Sequence, residues 1–422
     1  MSDGGLFDAI LERGPVRAAV DDRAWLQAML DVEAALARAQ AAAGVIAAAH
    51  AEAIAAACRA ERFDAAAIGA EAAAVGNPAA PLVRALRAQV GDPAADDVHR
   101  GATSQDVVDS AAMLVARGAL DALLGDLAGA ASAAARLAGE HRATVMAGRT
   151  LLQQAVPVTF GLKAAGWLVA LDESARRVRV VRDERLAAQL GGAAGTLAAL
   201  GDSGLDVLER FARELGLAAP VVPWHTARTR IAELAAALGE ACGAVAKVAR
   251  DVVLLSQTEV GEVREGGEGG GSSTMPQKRN PVAAVSALAG ARQAPGLVAT
   301  LLAAMEHEHE RAAGAWHAEW APLRALLIAT GSAAAWLRDC LEHLEVDPER
   351  MRANLDGALM AERAAGALGR EAADEIVRSG RPLAEALGDR MSADEVARLL
   401  DPASYLGAND ALIDRALRAH WR

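Results

Sequence analysis

An all-α subunit with a central bundle of long helices is what this sequence predicts, and three observations predict it. Alanine and leucine, both strong helix formers, dominate the 422 residues, while aromatic residues make up only 3%. One proline-free run, beginning at Thr103, continues for roughly forty residues, far longer than an ordinary globular helix. Along a second long run, apolar side chains recur every three or four residues, the period of a helix face.

Residues 1–102 read as an N-terminal domain of shorter helices. "DDRAWLQAMLDVEAALARAQAAAG" sets Trp25, Met29, Val32 and Leu36 at helical spacing and stops at Gly44, a C-terminal breaker. "GNPAAPLV" and "GDPAADD" are loops punctuated by glycine and proline. The central domain spans 103–344. Its first long helix opens on Thr103 and Asp106, which form a T-x-x-D capping box. The second starts near Thr229 and carries Ile231, Leu234, Leu238, Ala241, Val245, Val248, Val252 and Leu255 on one stripe, with Arg230, Glu233, Glu240 and Lys247 between them. A third, "AVSALAGARQAPGLVATLLAAME", should kink at Pro295. Narrow stripes on alanine-dense helices each need a partner helix, so a bundle is expected, extended by other subunits. "EVDPERM" marks a break, and 345–422 reads as a C-terminal domain of short helices.

The formal net charge of −12 argues against nucleic acid and anionic membranes as partners. An acidic ligand would need a local cationic pocket. Cys58, Cys242 and Cys340 lie far apart with no metal-binding spacing, which points to reduced thiols in a cytoplasmic protein. No basic leader precedes an apolar core at the N-terminus, and no uncharged apolar run is long enough to span a bilayer.

One stretch interrupts the helices. "EGGEGGGSSTMPQKRNP", 265–281, places five glycines before Ser272, Ser273, Lys278 and Asn280, with Pro276 and Pro281 stiffening the polar part. Glycines at that density disfavour helix, so the segment reads as a flap with a polar tip, the design of an active-site lid. A linker would explain the glycines but not the polar groups behind them.

"GSSTMPQKRNP" resembles the GSSxMPxKxNP signature of the fumarase/aspartase superfamily. "HRGATSQDVVDSA" (99–111) and "AGRTLLQQAVPVTFGLKAAGW" (147–167) are similar to two further regions of that family, in the same order. "PWHTARTRIAEL", "EHERAAGAWHAEW" and "GNPAAPLV" resemble its bacterial 3-carboxy-cis,cis-muconate cycloisomerase branch, which belongs to protocatechuate catabolism. The resemblance implies a mostly helical three-domain subunit, a homotetramer with shared active sites, and no metal or organic cofactor. It also implies proton exchange at carbon beside a carboxylate: either intramolecular carboxylate addition to a muconate or β-elimination from a succinate-type substrate. The adenylosuccinate lyase branch carries histidines where this chain has Leu151 and Gln154, which argues against that activity.

The resemblance also implies the site residues. Ser272 is the candidate base or proton donor and Ser273 a second donor, the two not ranked by sequence. Lys278 would hold the serine as alkoxide or bind carboxylate, and Asn280 would donate to the developing oxyanion. Asn77, His99, Thr103, Ser104, Gln105, Gln153 and Gln154 are carried over as substrate-binding. Thr103 to Gln105 would use the head of their helix to hold a carboxylate. A tricarboxylate needs several cations, and Arg311, Arg228 and Arg230 join Lys278 for that purpose. Each arginine could equally pair with a helical glutamate. His225 reads as a structural histidine. His307 and His309 sit two apart and do not share a helix face, so the "HEHE" run is not a metal motif. Trp316 and Trp320 read as core or pocket wall.

Overall fold

The computed structural model describes residues 5–266, 270–271 and 274–420, and the expected all-α fold is what it contains. Ser104–Glu140 is one helix of 37 residues, about 55 Å long at about 1.5 Å per residue. Thr229–Leu255 has 27 residues and Ala315–Glu342 has 28. All eight residues of the stripe read along Thr229–Leu255 are buried.

The chain divides into two compact units, each discontinuous in sequence. The first comprises Met1–Asp126, Ser174–Gly243 and Ala289–Ala335. Here Asp22–Ala42 forms the expected helix: the Asp21 carboxylate accepts from the Ala24 N–H at 2.8 Å, and Gly44 ends it with φ +75. It packs against Ala48–Ala57 and Gly204–Leu215. Elsewhere in this unit a glycine lets two other helix segments approach closely. A Cβ on Gly290 would lie 3.0 Å from the Ala329 carbonyl oxygen, so only glycine fits there without a shift.

The second unit comprises Leu127–Glu173, Ala244–Leu288 and Trp336–Arg422. Trp167 is fully buried, its indole N–H donating to Asp251 at 2.8 Å and its ring set edge-on to Phe160. Beyond residue 354, short helices enclose a small core of their own from Leu359, Met360, Ala364, Ile376, Leu383, Leu387 and Val396. Strands β1, Val145–Thr150, and β2, Gln153–Thr159, form an antiparallel hairpin. Strand β3, Val263–Glu265, pairs with β4, Leu344–Val346. None of these strands was expected: in β2 Pro157 and the polar Gln153–Gln154 pair obscure the two-residue alternation, and β3 and β4 are only three residues each.

The β1–β2 turn is unusual in its chemistry. Leu151 and Leu152 both adopt left-handed conformations, φ +51 and +65, where asparagine and glycine are the favoured pair. Both are exposed, so neither gains burial for the strain. Replacing them together with Asn-Gly should raise folding stability by about 1 kcal/mol, read as a higher denaturation midpoint at unchanged slope.

Val282–Ala303 is, by length and composition only, long and apolar enough to cross a membrane, though it is not an uncharged run. Arg292 interrupts it. The segment is two helices, Val282–Ala291 and Ala294–Ala303, with Pro295 in the first turn of the second. The kink expected at Pro295 is a complete break.

Candidate active site

In the first unit the segment before helix Ser104–Glu140 is organised by Asp106. This carboxylate is 1% exposed and accepts the backbone N–H groups of Thr103, Gly191 and Gly192, each at 2.9 Å. His225 Nε2 adds a fourth contact at 2.7 Å. The Asp106 half of the predicted capping box is therefore present, but the same side chain also ties two distant segments to the helix head. His225 is buried and engaged there, the structural part expected of it. Thr103 and Ser104 are half-buried.

One turn further along lies a closed ionic cluster. Arg228 is enclosed between Asp109 and Glu319, with side-chain exposures of 1%, 3% and 3%. Its Nε–H donates to Glu319 at 2.9 Å, and one N–H of each terminal nitrogen donates to Asp109 at 2.7 and 3.0 Å. The remaining two reach Glu319 and the Trp224 carbonyl at 2.6 and 3.5 Å. An arginine has five N–H donors, and all five are used. Burial works against its charge, but Asp109 and Glu319 outweigh burial and hold the guanidinium above its ordinary value. Trp316 donates its indole N–H to Asp109 at 3.0 Å. Arg228, expected among the substrate cations, is spent on protein carboxylates and has no donor left for a ligand.

Gln105 joins this cluster to Arg311. Its amide nitrogen donates to Asp109 at 3.0 Å and to the His225 carbonyl at 2.8 Å, and its oxygen accepts from Arg311 at 3.0 Å. It is 1% exposed, so it touches protein where the sequence placed it against substrate. Arg311 also donates to the Gly192 and Ala193 carbonyls at 3.2 and 2.8 Å and stays half-exposed. Among the described residues Arg311 forms no ion pair with a carboxylate, and it is the expected cation that the Gln105 amide ties to this cluster. Arg230 donates to the Arg185 carbonyl at 2.8 Å, away from this cluster. Asn77 accepts the Ala80 N–H at 3.1 Å and so caps the head of helix Ala79–Val90.

His99 sits at φ +62 with Nδ1 2.7 Å from the buried Glu33 carboxylate. Burial pushes the imidazole down, but the Glu33 charge and hydrogen bond, helped by Asp106, raise it overall. A histidine raised on folding stabilises fully below its unfolded value and loses that contribution as pH climbs through its folded value. His99→Gln should therefore cost about 2 kcal/mol below pH 6.5, the worth of a charge-assisted hydrogen bond, and progressively less in alkaline buffer. Unfolding curves for both proteins across that range check this.

The second unit holds the other candidates. Gln153 and Gln154 come directly after the Leu151–Leu152 turn and are exposed. Gln154 donates to the Asn354 carbonyl at 2.7 Å and accepts from the Asp356 N–H at 3.1 Å, docking the hairpin onto that segment. In the same hairpin Arg149 grips the fully buried Glu262 with two bonds of 2.9 and 2.7 Å, and Asn354 donates to Glu262 at 2.9 Å.

The signature loop leaves β3 at Glu265. That carboxylate accepts the N–H groups of Ala283 and Ala284 at 2.9 and 2.7 Å, joining the two ends of the loop. Within it the Asn280 N–H donates to the Gly270 carbonyl at 2.7 Å. Gly270 has φ +82, and a Cβ there would run into the Asn280 carbonyl oxygen. Lys278 is exposed and Asn280 half-buried. Ser272 and Ser273 lie outside the described residues.

Sequence reading missed Asp109, Glu319 and Glu262. The signal for Asp109 was present: an acid four residues after Gln105, set among Val107, Val108, Ala111 and Ala112 on a helix face that had to be buried. Glu319 stands in "HAEW" without such a marker, since its partner Arg228 lies 91 residues away.

Comparison with known proteins places this architecture. The family described as "Lyase" matches residues 11–296. A 3-carboxy-cis,cis-muconate cycloisomerase from Bradyrhizobium diazoefficiens is 50% identical, with 98% of this chain and 97% of that one aligned. A nitrosuccinate lyase from Streptomyces davaonensis is 45% identical over 98% of this chain and 94% of that one. The crystal structure of 3-carboxy-cis,cis-muconate lactonizing enzyme from Pseudomonas putida superposes with a TM-score of 0.92 at 43% identity, covering 99% of both chains. The signature loop, the shared helical fold and these matches agree, and the chain belongs to the lyase family of the fumarase/aspartase superfamily.

Proposed function

We propose that this chain is a 3-carboxy-cis,cis-muconate cycloisomerase that lactonises a muconate tricarboxylate. The observation carrying this reading is the 50% identity, over nearly the whole of both chains, to an enzyme of that name. In this chemistry a carboxylate oxygen of the substrate adds to its own conjugated double bond. As the C–O bond forms, the π electrons move onto the carbon beside a second carboxylate, and that carbon takes up a proton. Both reacting groups belong to one molecule, so orientation supplies much of the rate. The intermediate carries extra negative charge and needs fixed donors and cations around it.

We assign proton transfer to Ser272, with Ser273 as a second donor, Lys278 as the cation that favours the serine alkoxide or holds a carboxylate, and Asn280 as an oxyanion donor. Arg311 is the second substrate cation. Thr103, Ser104 and Gln153 offer polar groups to the remaining carboxylates, while Gln105 and Arg228 hold their neighbours in place. The reaction calls for no metal or organic cofactor. We further read the subunit as three segments, 1–102, 103–344 and 345–422. The long helices of the middle segment would serve a cytoplasmic homotetramer whose sites draw on more than one subunit.

The second reading is C–N bond cleavage of a succinate-type substrate, favoured by the 45% identity to a nitrosuccinate lyase. An assay on 3-carboxy-cis,cis-muconate, monitoring loss of diene absorbance, should be run beside nitrosuccinate, argininosuccinate, adenylosuccinate and fumarate. Turnover of the muconate is expected. Turnover of nitrosuccinate with an inert muconate overturns the first reading in favour of the second. Sedimentation should give a tetramer, and a compact monomer would contradict the shared-site assembly.

A further inference from the structure

His307 has no assigned part in this chemistry, yet its surroundings are exceptional. Its side chain is 0% exposed, and neither ring nitrogen has a hydrogen-bond partner among the described residues. Nε2 lies 3.4 Å from the Glu319 carboxylate, within ion-pair distance. Enclosing an imidazole with both nitrogens unsatisfied is costly, so some compensating interaction is expected of its charge.

The charges around it identify that interaction. Asp109 comes from helix Ser104–Glu140, Glu319 from helix Ala315–Glu342 and Arg228 from the residue before helix Thr229–Leu255. Two carboxylates and one guanidinium leave one uncompensated negative charge in a sealed space. Glu306, Glu308, His309, Glu310 and Arg311 share the segment that carries His307, the three glutamates being exposed, and Asp106 with His225 forms the next polar pair. A buried unpaired charge is far more expensive than a buried balanced group.

We infer that His307 and Glu319 hold one proton between them, that this proton neutralises the Asp109–Arg228–Glu319 cluster, and that His307 is thereby a positioning residue for Arg311. The route is continuous: His307 to Glu319, Glu319 to Arg228, Arg228 to Asp109, Asp109 to Gln105, and Gln105 to Arg311. With the proton present, the cluster is neutral and the Arg311 charge is free for a substrate carboxylate. With the proton gone, the residual negative charge of the cluster competes for Arg311. Burial raises the Glu319 carboxyl against the pull of Arg228, consistent with a site that keeps a proton.

The effect on substrate rests on the assignment of Arg311 as a substrate cation, whereas the proton balance does not. Glu319→Gln is the informative partner variant. It removes the excess charge permanently; its amide oxygen can still accept from the Arg228 terminal nitrogen, while its amide nitrogen, on the side of His307, gives up the bond from the Arg228 Nε–H, a loss common to the single and double variants. His307→Gln, Glu319→Gln and the double variant should be compared with the parent by urea unfolding from pH 6 to 9 and by KM and kcat for the muconate.

His307→Gln should raise KM about tenfold with a smaller change in kcat, as one unit charge acting through partly screened protein would do. It should also lower stability. Both losses should shrink in the Glu319→Gln background, and the rise in KM expected of the parent in alkaline buffer should be absent there. Equal stability losses from His307→Gln in both backgrounds would overturn the shared proton. Coupled stabilities with an unchanged KM would overturn only the link to Arg311. If the muconate is not turned over at all, the unfolding comparison still decides the proton balance.

Discussion

Ser272→Ala should lower kcat by about three orders of magnitude or more, with helicity and oligomeric state unchanged. The reaction moves a proton to or from carbon, and that proton needs a partner in contact with the substrate. An ordinary serine hydroxyl is far too weak for this at neutral pH, so the same loop must supply the field that activates it. Lys278 and Asn280 lie six and eight residues on, and the pairing of Asn280 with Gly270 fixes their path relative to the strand that precedes them. Ser273→Ala serves as the comparison: a drop of about tenfold is expected for a secondary donor. Single-turnover kinetics on both variants, with circular dichroism and sedimentation as folding controls, provide the reading. Parent-like kcat in Ser272→Ala, or the larger loss in Ser273→Ala, would remove Ser272 from the proton transfer.

Arg228→Met should be the most damaging substitution for the fold, costing about 3–5 kcal/mol. Asp109 and Glu319 would be left facing each other in a space closed to water, and methionine fills the volume without meeting either charge. Arg228→Lys should recover little, because an ammonium has three donors on one atom and cannot span two carboxylates as the planar guanidinium does. Guanidinium chloride unfolding of the three proteins measures this. Near-parent stability in Arg228→Met would mean that the carboxylates relax to water or take up protons without penalty, contrary to the enclosure described.

Much of the architecture was legible because helical periodicity is a local property. The stripe along Thr229–Leu255, the reach of Ser104–Glu140 and the stop at Gly44 each depend on residues within a few turns of one another. The strands were not legible: β3 and β4 are three residues each and lie about eighty residues apart, so each exists because the other is there. The site divides along the same line. The signature loop and the neighbourhood of Arg311 could be read from short motifs. The fate of Arg228 could not, because its sequence context matches that of a substrate cation and only the folded chain brings Asp109 and Glu319 to it. Gln105 shows the same pattern, a residue in a recognisable motif whose amide is consumed by its neighbours.

The Asp106 hub has a consequence for how the protein is made. Its partner His225 is encoded 119 residues downstream. At ~5–20 residues per second, a ribosome needs roughly 6–24 seconds to deliver it. Throughout that interval the aspartate has emerged from the exit tunnel without its imidazole, and the head of the longest helix lacks its anchor. A nascent chain halted just short of Trp224 should therefore be protease-sensitive around Thr103, and the released full-length chain should not.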